Sequence, residues 1–443
     1  MNMMNSNTAR VVFFSLLFLM NTFSGIYAQK GKTGSLIFLG DSLVSDDFYP
    51  ILPWDFLGEP EYALKDVVDC NFTVGGFIRP YDVGRVESHG LKAIIDMELD
   101  IRGHSLHRRI WRNLTDEEIE SKVRILIENS GNSDAILGYF IMDEPSVLDF
   151  PYLRKAVDAV RKYAPDKLAY INLFPDYATL WSMDNLNSQL GTKTYTEYLE
   201  RYVNEVNPQF ISYDNYMIQY SKDLQEEKRG LSYFTNLLEI RRVALKYKLP
   251  YWNIVSSIQL NDSSIPSFSN MLFHAYTSLA AGYNGISWFQ YNGGDYNPVN
   301  ESYEKTPVWH SLKEVNRQIQ ALGPIINQLT STGIYFTSSF LGLDSMYVSL
   351  PGKHIESIKC AEPLMVGEFL DSDGNRYAMV VNLSMERSAK FTLSTKSGEE
   401  GIYTYVPSGN DPGLPVIKKA DLNNHKKGYW LVAGEGILMK FED

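Results

Sequence analysis

Two adjacent acids, Asp143 and Glu144, close the apolar run Gly138-Tyr139-Phe140-Ile141-Met142 and are followed by Pro145. A charged group is costly to strip of water, so carboxyls at the end of a buried strand are candidates for chemistry. Desolvation drives such a carboxyl toward its protonated form, the state a general acid needs. A plainer role competes, because Asp143 or Ser146 could cap the free amides of a following helix. Asp214 ends a second apolar run, Phe210-Ile211-Ser212-Tyr213. A carboxylate there could serve as nucleophile or as base for water, or could simply bond loop amides.

Around these acids stand polar and aromatic residues that also fall at strand ends. Asn172, Tyr216 and Gln290 offer hydrogen bonds to hydroxyl groups. Trp288, in Ile286-Ser287-Trp288-Phe289-Gln290-Tyr291, could floor a sugar subsite or could be plain core. Trp54, Asp55 and Glu98 are weaker candidates. The seven His show no metal-binding spacing, and Gly293-Gly294-Asp295 lacks the Lys and the charge of a phosphate cradle. No metal or cofactor is expected.

The elements that must carry these residues alternate. Eight short apolar runs, at 49–54, 71–77, 92–97, 136–142, 168–173, 210–213, 251–255 and 285–289, are separated by segments of helical period. Continuously apolar strands are buried on both faces, and eight parallel strands close a barrel whose active site lies at their C-terminal ends. Thr115 with Glu118 and Thr194 with Glu197 are capping-box patterns, Gly131 and Pro208 stop their helices, and Pro250 stops the stripe Leu237, Ile240, Ala244, Tyr247. Leu312, Val315, Ile319 and Leu322 make the last stripe. After Pro324 short β-rich runs such as 376–382, 390–393, 401–406 and 428–432 alternate with Gly, Asp, Asn and Pro, the texture of an antiparallel sandwich. The expected class is α/β: a (β/α)₈ TIM barrel over 29–325 with an all-β sandwich over 326–443. A further strand is expected at 35–39.

Arg10 precedes an apolar run from Val11 to Met20, and residues 24–28 end on the small Ala28, so residues 1–28 read as a signal peptide and the protein as exported, periplasmic or extracellular. That run is too short for a membrane span. Cys70 and Cys360 are the only cysteines, read either as a disulfide or as two free thiols. The net charge of −12, about −13 without the leader and its single Arg10, argues against nucleic-acid partners. The 29 Tyr, 22 Phe and 7 Trp supply flat amphipathic faces suited to sugar rings, although aromatics are also core material.

Asp143-Glu144-Pro145, Tyr170-Ile171-Asn172-Leu173-Phe174-Pro175 and Ile211-Ser212-Tyr213-Asp214-Asn215-Tyr216 together resemble a group of bacterial barrel proteins described as β-galactosidase-like, and the clan A glycoside hydrolases. The likeness covers most of residues 48–325. It implies an oligosaccharide or polysaccharide substrate and a catalytic acid/base at the end of the fourth strand, which matches Glu144. The family's usual neighbour is Asn, where this chain has Asp143. Its usual nucleophile is a Glu ending the seventh strand, and Trp252 to Gln259 contain no acid before Asp262. Asp214 is then the carboxylate partner of Glu144. Asp143-Glu144 is also similar to hexosaminidases in which an Asp positions the substrate's own acetamido group, and Tyr213-Asp214 resembles the sixth strand of chitinase-like barrels, without their fuller run of Asp residues. A non-catalytic glycan-binding barrel is the remaining reading: the bare seventh strand favours it and the retained Asp143-Glu144 disfavours it.

Overall fold

The computed structural model describes residues 48–54, 60–96, 111–180, 182, 188–220, 227–261, 263–337, 350–396, 401–407, 414–420 and 428–442. The leader segment 1–28, the candidate strand at 35–39, and Asp55, Glu98 and Asp262 lie outside the described residues.

Eight parallel strands form one sheet: β1 (Ile51–Pro53), β2 (Val74–Ile78), β3 (Lys92–Asp96), β4 (Ile136–Asp143), β5 (Leu168–Leu173), β6 (Ile211–Asp214), β7 (Tyr251–Ser256) and β8 (Gly285–Phe289). Their order is β1-β8-β7-β6-β5-β4-β3-β2, each lying where the sequence places an apolar run. Between β1 and β2 a single residue makes the closure. Thr73 donates its amide to the Ile51 carbonyl at 3.2 Å, its hydroxyl accepts from the Ile51 amide at 2.8 Å, and that hydroxyl donates to the Tyr49 carbonyl at 2.8 Å. Inside the barrel, Leu52, Phe77, Ile94, Phe140, Tyr170 and Trp252 pack as a filled core.

The outer ring is α1 (Glu61–Asp69), α2 (Val83–Glu87), α3 (Asp116–Ser130), α4 (Phe150–Tyr163), α5 (Tyr195–Arg201), α6 (Glu227–Tyr247), α7 (Phe268–Ala280) and α8 (Pro307–Asn327). Thr115 and Glu118 make the full reciprocal box expected of them. Thr194 caps the Glu197 amide at 3.1 Å, but the Glu197 carboxylate turns instead to the Lys193 amide at 3.1 Å, so that box is half made. No helix among the described residues is long and apolar enough to cross a membrane.

In the loop after β8 a small parallel pair forms, β9 (Asn292–Gly293) with β10 (Val299–Asn300). Beyond α8 every strand among the described residues pairs antiparallel. β11 (Thr330–Phe336), β13 (Leu364–Leu370), β14 (Arg376–Asn382), β19 (Gly436–Glu442), β16 (Gly401–Pro407) and β17 (Pro415–Lys419) make a sheet in that order. It faces a smaller one of β12 (Ile355–Lys359), β15 (Ala389–Thr395) and β18 (Tyr429–Leu431). Alternation along β13 and β14 sends Leu364, Val366, Ala378 and Val380 between the two sheets. It sends Met365, Phe369, Met379 and Val381 into the barrel's own core. The sandwich is thus continuous with the barrel through α7, every residue of which from Asn270 to Ala280 is buried. Within α7, burial pushes the His274 imidazole down to about 3, which keeps it neutral. Cys70 and Cys360 are both free thiols.

The sheet meets α7 at backbone distance. Gly367 of β13 lies against the Ala280 carbonyl, and Gly434, at φ +74°, lies against the Ser269 carbonyl. A methyl at 367 has only backbone to displace, so Gly367→Ala should destabilise the protein by about 3 kcal/mol, at the upper end of overpacking costs. Urea unfolding measures this, and an unchanged midpoint would mean that the contact between sheet and helix is loose.

Candidate active site

Strand β4 reaches the site through an irregular register. Against β5 it pairs Phe140 with Tyr170 and then skips, so that Met142 faces Ile171 and Asp143 faces Asn172. One extra residue reverses the alternation of side chains. Phe140 points into the barrel, and after the unpaired Ile141 it is Asp143, not Met142, that regains the inward phase. The Ile141 carbonyl is taken by the Trp111 indole at 3.2 Å.

At that level the buried Asn172 ties two strands together. Its Nδ2 donates to Asp143 Oδ1 at 3.0 Å and to Asp214 Oδ1 at 2.9 Å, which caps the separation of those two oxygens at about 5.9 Å. Its Oδ1 accepts from the Ser212 hydroxyl at 3.1 Å, and Ser212 also pairs with the Tyr170 hydroxyl at 3.1 Å. Both N–H bonds and one lone pair are therefore spent on the protein. Sequence reasoning assigned Asn172 to substrate hydroxyls, whereas its amide holds the acids. The Ser146 amide is taken by Asp149 at 2.8 Å, and Asp149 is bound by Arg112.

Glu144 follows in the left-handed region, φ +44°, a conformation that costs a non-glycine residue roughly 1–2 kcal/mol. Bonds on both sides hold it there. Its amide donates to the Asn172 carbonyl at 2.8 Å, and the Tyr198 hydroxyl of α5 donates to the Pro145 carbonyl at 2.7 Å. Tyr216, just past β6, has its hydroxyl pushed well above the ordinary value by burial first and then by the charges of Asp214, Tyr177, Asp143 and Glu144. A phenol so placed keeps its proton and is a donor. Its ring packs on Phe289, centroids 5.1 Å apart. Trp54 stands half-buried over Phe77, Phe140 and Tyr170, at 4.7, 5.6 and 5.9 Å between centroids. Gln290 is half-buried just past β8.

Trp288 is not part of this group. It is wholly buried, and its indole donates to Asn316 of α8 at 2.8 Å, between the barrel wall and the helices. The inward phase of β8 belongs to Ser287 and Phe289, one residue to either side. Two residues were missed. Asp96, buried at the end of β3, stands opposite Phe140 and shares its inward phase. Tyr177, in the loop after β5, has its hydroxyl among the carboxylates. Asp96 was legible as an acid closing an apolar run, while Tyr177 has no signal beyond its nearness to Asn172.

Asp176 anchors that loop. Its carboxylate accepts from Ser232 at 2.9 Å and Thr235 at 3.1 Å on α6, and burial still pushes it up to about 6. The folded state therefore binds this proton more tightly than the unfolded chain does. The resulting stability is complete below the ordinary carboxyl range and is lost as pH rises through about 6, a change of about 3 kcal/mol. Urea unfolding at pH 4.5 and 7.5 should show Asp176→Asn gaining on the wild type at the higher pH. Parallel pH dependence in the two proteins would contradict this.

No family model matches the chain, and no curated protein matches it. Among solved structures it is similar to a glycoside hydrolase family 5 protein from Bacteroides vulgatus ATCC 8482, with TM-score 0.50 and 11% identity over 89% of each chain. It is also similar to a structure described as a glycoside hydrolase, with TM-score 0.51 and 12% identity over 89% of this chain and 93% of that one. At these identities the likeness is one of fold alone: the chain has a (β/α)₈ barrel followed by an antiparallel β domain.

Proposed function

We propose that the protein is an O-glycosyl hydrolase acting on a glycan, with Glu144 as proton donor and Asp214 as its carboxylate partner. One observation carries the reading: the Asn172 amide fixes Asp143 and Asp214 at the C-terminal mouth of the barrel, immediately beside Glu144. Glycosidic cleavage needs a proton for the leaving oxygen and a carboxylate facing the oxocarbenium-like carbon. Glu144 gives its proton to the glycosidic oxygen as the bond to the anomeric carbon breaks. Asp214 then bonds that carbon, or removes a proton from the water that does. Trp54 and Gln290 line the mouth on the sugar's side, and the leader sequence suits work outside the cytoplasm. The structures of similar fold, named as glycoside hydrolases, support the class of reaction.

Glu144→Gln keeps the shape of the side chain and removes its transferable proton. It should slow glycosides with poor leaving groups by about 10²–10⁴-fold with KM little changed. Asp214→Asn should be comparably severe. Hydrolysis of a glycan panel by both variants at wild-type rates would remove the pair from the chemistry.

A second reading has its own support. Strand β7 carries no acid, and Asp143, more exposed than Asp214, is held by the same amide. Asp143 would then orient a 2-acetamido group whose carbonyl oxygen attacks the anomeric carbon, Glu144 still giving the proton. The order of damage separates the two. With Asp214 as partner, Asp143→Asn costs a modest factor and Asp214→Asn a large one. Under substrate assistance Asp143→Asn is the worse change, and only 2-acetamido sugars are cleaved.

A further inference from the structure

Residues Pro175 to Ala178 form a tight turn, closed by the Ala178 amide on the Pro175 carbonyl at 3.2 Å, with Tyr177 at its third position. The Asp176 amide donates to Asn236 Oδ1 on α6 at 3.0 Å, and that same oxygen accepts from Asn215 Nδ2 at 2.9 Å. Asn215 directly precedes Tyr216, so one buried amide of α6 fixes the turn that bears Tyr177 against the segment that bears Tyr216 and Asp214. At Tyr177 itself two environments meet. Burial first, then the charges of Asp214 and Glu144, push the Tyr177 hydroxyl well above its ordinary value and keep it protonated. The side chain is nevertheless 41% exposed, the most open of the aromatic residues whose hydroxyls sit among these carboxylates.

We propose that Tyr177 is a substrate-binding residue of this site, its exposed side chain stacking on a pyranose ring of the substrate. The inference rests on the glycan-hydrolysing reading and names an added contact for it. An anchored turn lowers the entropy lost when a ring is clamped against a ligand, so the contact is pre-organised. Because a stacked face acts on substrate and transition state alike, its loss appears in KM more than in kcat.

The experiment uses the full chain in wild-type, Tyr177→Phe, Tyr177→Ala and Tyr177→Leu forms, each also in a Glu144→Gln background. Turnover is followed on a panel of aryl glycosides and oligosaccharides, and binding on an array of plant, microbial and host glycans. Tyr177→Ala and Tyr177→Leu should raise KM on cleaved oligosaccharides, and weaken array binding, by roughly five- to tenfold, the worth of one aromatic face. Tyr177→Phe should stay within about twofold of wild type, since it keeps that face. The Leu variant guards against a turn that fails to form with Ala. Wild-type affinity and KM in both the Ala and Leu variants overturn the inference and leave the hydrolase reading intact. Tyr177-dependent binding without turnover of any glycoside does the reverse. Neither binding nor turnover by the wild type overturns both.

Discussion

Two acids that approach within about 6 Å from the ends of β4 and β6, on either side of β5, must be compensated, and the whole mouth is arranged around that need. Two unit charges at such a spacing repel by about 3 kcal/mol at the effective dielectric of a protein. The amide of Asn172 answers with one N–H for each, and Ser212 and Tyr170 orient the amide from below. An Asn is suited to this as a Lys would not be, because it brings donors without a charge that would neutralise the acids it serves. The site keeps its acidic character, which suits the oxocarbenium-like centre of the proposed reaction.

The fold was legible because its signal is cumulative: eight apolar runs, each long enough for a strand, and helix caps between them. The site was legible only in part, because it turns on phase. Sequence places Asp143, Asn172 and Asp214 at strand ends, and all three enter the mouth. For Asp143 this depends on the unpaired Ile141, a bulge that no local residue choice announces. At β8 the regular phase runs the other way. Trp288 is the larger and more attractive side chain, yet alternation gives the mouth to Phe289 and sends Trp288 to Asn316. Residue type nominates a stacking aromatic, and only the register elects it.

The C-terminal region is the expected all-β sandwich, and the way it is attached to the barrel is a matter of shared core. Strands β13 and β14 are apolar on both faces because one face closes the sandwich and the other completes the barrel's core. Helix α7 is accordingly buried around its circumference from Asn270 to Ala280, as a helix with no solvent side must be. Glycines at 367 and 434 let the layers meet at backbone distance. The sequence of α7 announced this only weakly, because Asn270, His274, Thr277 and Ser278 interrupt its apolar residues and nothing in it says what covers them.

Rigidity explains why a left-handed Glu can stand beside the acids. A strained backbone persists only where its surroundings over-determine it. Here the Glu144 amide is spent on the Asn172 carbonyl, the Pro145 carbonyl on Tyr198, and the Ser146 amide on Asp149, which Arg112 grips in turn. Asn172 thus acts twice, its side chain spacing Asp143 from Asp214 and its backbone setting the turn that aims Glu144. Tying Glu144, Asp143 and Asp214 to one residue of β5 removes the independent motion of β4 and β6 as a source of misalignment. The strain at Glu144 is the cost of turning the chain sharply directly after Asp143.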